Sequence, residues 1–108
     1  MQTENQECID LCYACATACD RCAAACLEEA DIAMMKNCLR LDTQCAAICR
    51  LAAQFMALGS DHLSQVCRLC ADLCKACAQE CTKHEHDHCQ NCARACNACA
   101  DACLKMIA

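Results

Sequence analysis

Residues 8–26 read CIDLCYACATACDRCAAAC, with cysteine at Cys8, Cys12, Cys15, Cys19, Cys22 and Cys26. The spacing alternates between four and three residues, which is the rhythm of the two apolar columns of a helical heptad. On a helix these six side chains form one stripe of sulfur. Such columns normally hold Leu, Ile or Val, because branched aliphatics fill the space between packed helices. Thiol in their place at every layer calls for a chemical reason.

Working outward, the same spacing recurs at Cys67, Cys70, Cys74, Cys77 and Cys81, and again at Cys89, Cys92, Cys96, Cys99 and Cys103. The intervening segment carries only Cys38, Cys45 and Cys49, but extending its register gives Met35, Cys38, Asp42, Cys45, Cys49, Ala52 and Met56 along one stripe. With 19 cysteines, one glycine, no proline and few β-branched residues in 108, the chain reads as helical throughout. We expect an all-α fold of four helices over about residues 4–28, 31–57, 61–82 and 87–106. Asp31 is the expected cap of the second helix, Gly59 its stop, and Ser60 and Asp61 the candidate caps of the third. Short connections make this an antiparallel up-down-up-down bundle, a single domain with all four sulfur stripes pointing inward.

Composition excludes several functions. Nine basic against fourteen acidic residues leave a net charge of −5, which disfavours nucleic acid or an anionic membrane as a partner. The opening MQTENQE has neither the basic nor the apolar region of a secretory signal, so a cytoplasmic location is expected. Cysteines there are kept reduced, and a dense regular pattern reads as metal-binding before it reads as a disulfide framework. The C-x-x-C pairs lack the βαβ context of a thioredoxin-like redox motif. Glu85-x-x-His88 imitates half of a di-iron motif, but the facing stripes are sulfur rather than carboxylate. No catalytic constellation stands out, so no enzymatic activity is expected.

Residues three and four apart on a helix bring their Cβ atoms within about 5–6 Å, so two thiolates can share an ion. Eight C-x-x-x-C pairs can be written, and Cys38, Cys67 and Cys89 remain for bonds between helices. Soft thiolates select Cu(I), zinc or iron–sulfur clusters. Four thiolates on one Zn²⁺ carry a net charge of −2, and a buried column of such sites needs cations nearby. None of the nine Lys and Arg falls in the stripe register. A Cu(I) ion replaces one thiol proton, so a core with one ion per cysteine gains no charge as it fills. The competing readings are a zinc- or cadmium-binding metallothionein-like protein and an iron–sulfur electron carrier.

The two ends of the expected bundle differ. Phe55, Met56, Leu58, Leu63, Met106 and Ile107 collect into an apolar plug at one end. Met34 and Met35, His84, His86 and His88 meet at the other. Thioether and imidazole hold copper less tightly than thiolate does, which suits a place where ions pass inward, through Met35 and His84 with His86 or His88. His62 reads as a surface residue at the plugged end. Ile32, Leu39, Leu41, Ile48, Leu51, Phe55 and Leu58 exceed what one buried seam needs. They read as a self-association surface or as packing between helices.

C-x-x-x-C and C-x-x-C repeated along four helices, from about residue 5 to residue 106, resembles the bacterial cytosolic copper storage proteins. The resemblance implies a homo-oligomer, a tetramer, that stores many Cu(I) ions within each protomer. It implies Cys thiolates as the main ligands, His or Met helping near the open end, and a cytosolic copper chaperone as a partner.

Overall fold

The computed structural model describes residues 2–108, with side chains from Asn5 onward. Alanine- and cysteine-rich sequence without proline forms four helices: α1 (Gln2–Cys26), α2 (Lys36–Leu58), α3 (Leu63–Thr82) and α4 (Asp87–Met106). There is no strand among the described residues. Each helix packs on its two neighbours in the cycle α1–α2–α3–α4, which gives the up-down-up-down bundle, 45 × 18 × 17 Å. Buried Ala16, Ala46, Ala53, Ala71, Ala78, Ala93 and Ala100 stand beside the cysteine stripes. With only a methyl group there, the helices close tightly around a core whose centre is sulfur.

The helix boundaries refine the expectations in two places. Helix α1 ends at Cys26, and residues 27–31 turn before a 3₁₀ segment, Ile32–Met35, leads into α2. Asp31 therefore precedes that tighter turn and makes no side-chain cap bond. The 3₁₀ turn lowers Met35 into the core while Met34 stays exposed. Before α3, the Ser60 hydroxyl accepts the His62 N–H at 3.0 Å, closing a local turn, and the helix starts at Leu63 without a side-chain cap. His62 itself is exposed, as expected.

Gly59 ends α2 as the sequence indicates. It adopts φ +67°, the left-handed conformation that glycine enters without penalty. Its N–H bonds the Met56 carbonyl at 3.2 Å and that of Ser60 bonds Phe55 at 3.1 Å, which satisfies carbonyls the helix would leave open. At this end Met56 is buried and Phe55, Leu63, Met106 and Ile107 are half-buried. Leu58 is 72% exposed and takes no part in the plug. The expected self-association set also divides: Ile48 is buried, Leu39, Leu41 and Phe55 are half-buried, and Ile32, Leu51 and Leu58 face outward. Packing between helices therefore accounts for Ile48 and, in part, for Leu39, Leu41 and Phe55.

Candidate metal centre

Each stripe delivers its thiols to the bundle axis because a heptad register keeps one face of every helix turned inward. All nineteen cysteines are buried, eighteen completely, with Cys8 only 2% exposed. None forms a disulfide. Their Sγ atoms lie against one another across helices. Cys15 is 3.6 Å from Cys96, Cys45 is 3.5 Å from Cys74, Cys99 is 3.6 Å from Cys12, and Cys38 is 3.5 Å from Cys81.

Groups of four sulfurs within 4.8 Å of one another recur along the axis. They include Cys12/Cys70/Cys99/Cys103, Cys15/Cys49/Cys74/Cys99, Cys15/Cys19/Cys45/Cys96, Cys19/Cys77/Cys92/Cys96 and Cys22/Cys26/Cys38/Cys89. Cys15, Cys19, Cys96 and Cys99 each belong to two of these groups. The first four groups are therefore overlapping stretches of one column, and the fifth, which shares no member with them, is joined to it through Asp42, bonded to Cys38 on one oxygen and to Cys77 and Cys92 on the other. Every Lys and Arg is exposed, so no fixed cation stands inside it.

Three of the four helices supply only sulfur and alanine to this axis, but α2 supplies Asp42, the one buried charged-type side chain among the described residues. Its Oδ1 accepts from Cys77 at 3.1 Å, Cys92 at 3.3 Å and Cys81 at 3.7 Å, and its Oδ2 from Cys38 at 3.7 Å. Burial, reinforced by negative charge on Cys92, pushes the carboxyl up to about 8. Asp42 thus stands as a neutral acid among thiols at neutral pH. Burial likewise raises Cys26 to about 12 and lifts Cys89 above the usual thiol range. Burial therefore holds Cys26 and Cys89 as neutral thiols, and their deprotonation has to be driven by a bound cation.

The residues expected at the open end do not sit alike. His88 reaches the column: its Nδ1 is 3.3 Å from Cys22 Sγ and 3.5 Å from Cys89 Sγ. His84 turns instead to Glu80 on its own side of the bundle, Nε2 to Oε2 at 3.0 Å, and its carbonyl accepts from the Gln90 side chain. His86 is exposed and stacks on His88, with ring centroids 5.4 Å apart and planes at 4°. Met35 is buried at the same end. Sequence reasoning passed over Glu29, whose Oε2 lies 2.7 Å from His88 Nε2 and 3.4 Å from His86 Nδ1. No periodicity marks one glutamate of the Glu28-Glu29 pair in a turn, so only the meeting of the α1–α2 and α3–α4 connections reveals it.

A chain-long sulfur column, four helices deep and without an internal cation, can bind many soft monovalent ions with thiolates bridging between them. Comparison with known proteins agrees with that arrangement. A family model described as copper storage protein matches residues 1–108. The uncharacterized cysteine-rich protein YhjQ of Bacillus subtilis (strain 168) is 46% identical over 88 residues, 82% of this chain and 82% of that one. Among solved structures, the Cu(I)-bound copper storage protein BsCsp3 is 47% identical, superposes with a TM-score of 0.93, and is matched over 97% of this chain and 99% of its own. A cytosolic copper storage protein from Streptomyces lividans carrying five coppers is 38% identical, with a TM-score of 0.94 over 97% of this chain and 92% of its own. The chain belongs to the copper storage protein family.

Proposed function

We infer that this protein stores Cu(I) in the cytosol, holding many ions on the cysteine thiolates inside its helix bundle. One observation carries the reading: the four-sulfur groups share members along an axis that no Lys or Arg enters. Filling such a column with Zn²⁺ at four thiolates per ion would accumulate buried negative charge without compensation. Filling it with Cu(I) exchanges one proton for one monovalent ion and leaves the interior neutral. Relatives with copper bound have this fold at 36–47% identity.

The ligands we assign are the nineteen cysteines, with His88, His84, His86 and Met35 serving ions that pass at the open end. His88 has the strongest support, because it alone of the three histidines places a ring nitrogen within 3.5 Å of column thiols. The whole chain acts as one storage domain, and its work is retention and release rather than turnover. Exposed Ile32, Leu51 and Leu58 support assembly into a tetramer, and a copper chaperone is the proposed source of ions.

Anaerobic titration of the reduced protein with Cu(I), against a calibrated chromophoric Cu(I) chelator and in parallel with Zn²⁺, tests the reading. Copper withdrawn from the chelator until bound ions approach the 19 cysteines is the expected result. Saturation at a few ions, or equal preference for zinc, would refute it and point to discrete four-cysteine sites.

A further inference from the structure

The turn between α1 and the 3₁₀ segment places a carboxylate against the one imidazole that faces the thiols. Glu29 is held in that turn by its N–H, which donates to the Cys26 carbonyl at 3.3 Å. Its side chain crosses to the start of α4, where Oε2 meets His88 Nε2 at 2.7 Å and His86 Nδ1 at 3.4 Å. On the far edge of the same ring, His88 Nδ1 looks at Cys22 and Cys89 from 3.3 and 3.5 Å.

A neutral imidazole has one N–H and one lone pair, and which nitrogen carries which is set by its partners. An ionised carboxylate only accepts, so at 2.7 Å it requires the hydrogen on Nε2. Nδ1 is then left as a lone pair directed at the last sulfurs of the column. The opposite tautomer would turn a donor toward Cys22 and Cys89 and put two lone pairs, on Nε2 and Oε2, in repulsive contact. The His86 ring runs parallel to that of His88, with centroids 5.4 Å apart.

We propose that Glu29 is a positioning residue for Cu(I) transfer: by holding the Nε2–H of His88, it keeps Nδ1 aimed into the column as a ready ligand for an incoming ion. Carboxylates that orient ligating histidines in this way are worth about 10–100-fold in metal affinity or activity. The proposal rests on the reading that copper passes at His88, and its test separates the two. In the metal-free, reduced protein labelled with ¹⁵N, the His88 ring shifts report the tautomer without any copper present. The expected result is a single Nε2–H form in the native protein and in Glu29→Gln, whose amide oxygen still accepts. Glu29→Ala should show averaging between tautomers, together with a Cu(I) transfer rate from a chelator lowered roughly tenfold and an unchanged capacity. A Glu29→Ala protein with native ring shifts would overturn the positioning role. So would a Glu29→Gln protein as slow as Glu29→Ala with its tautomer intact, since attraction by charge alone would then account for the rate. His88→Ala loading at the native rate would instead overturn passage at His88, whatever the ring shifts show.

Discussion

Replacing Asp42 by Asn should flatten the pH dependence of stability in the metal-free protein. Asp42 is fully buried among Cys38, Cys77, Cys81 and Cys92, and its carboxyl is pushed up to about 8 by burial. In the unfolded chain the same group titrates near about 3.9. Between those values the folded protein keeps a proton that the unfolded chain has released, so the folded state binds more protons and loses stability as pH rises. The contribution is fully present below about pH 4 and lost by about pH 8, at about 1.4 kcal/mol per pH unit or roughly 6 kcal/mol in all. That is comparable with the whole stability of a small domain. Asn has the same shape and carries no titrating proton. Urea unfolding of the reduced, metal-free proteins, followed by helical circular dichroism at pH 5, 6 and 7, measures the two slopes. The native protein should lose on the order of 1 kcal/mol more per unit than Asp42→Asn. The other carboxylates and the four histidines contribute equally to both proteins, so only the difference matters. Parallel slopes would show that Asp42 is ionised in the folded state and that the column tolerates a buried negative charge, which would remove the argument from charge neutrality.

Two further outcomes follow from the ends and the surface of the bundle. Replacing His84, His86 and His88 together by Ala should slow Cu(I) uptake in stopped-flow exchange with a chelator while leaving the final number of bound ions unchanged, because the sulfur column is untouched; native kinetics would contradict passage at that end. Leu51→Glu with Leu58→Glu places charge on two exposed side chains of α2, so sedimentation should show a tetramer for the native protein and smaller species for the variant, with helix content preserved. A monomer in both cases would leave those leucines without a role in assembly.

The bundle was legible because its signal is periodic. Cys8 to Cys26 repeats a heptad without interruption, and the boundaries of α4, Asp87–Met106, coincide with those read from the sequence. The corner between α1 and α2 was less legible. A 3₁₀ turn of four residues has too little length to show a period, and Asp31 looks like a helix cap whether or not an α-helix follows it. Register placed Asp42 on the sulfur stripe, but not its state, since burial between packed helices raises its carboxyl against the thiol hydrogen bonds it accepts. Among the histidines, register placed His84, His86 and His88 at one end of the bundle without ranking them. Only the meeting of two connections decides that His88 faces Cys22 while His84 faces Glu80.

The heptad register sets a scaling law for this architecture. Every seven residues of α-helix add about 10 Å of length, and each fully occupied stripe adds two thiols over that distance. A four-helix bundle of this kind therefore gains up to about eight sulfurs per inserted heptad, while its width stays fixed by the buried alanines that set the separation of the helices. Holding power grows in proportion to length, and the layers already present keep their neighbours. Larger relatives can arise by lengthening all four helices in step, with no new fold, no new ligand geometry and no change in how the ends are built.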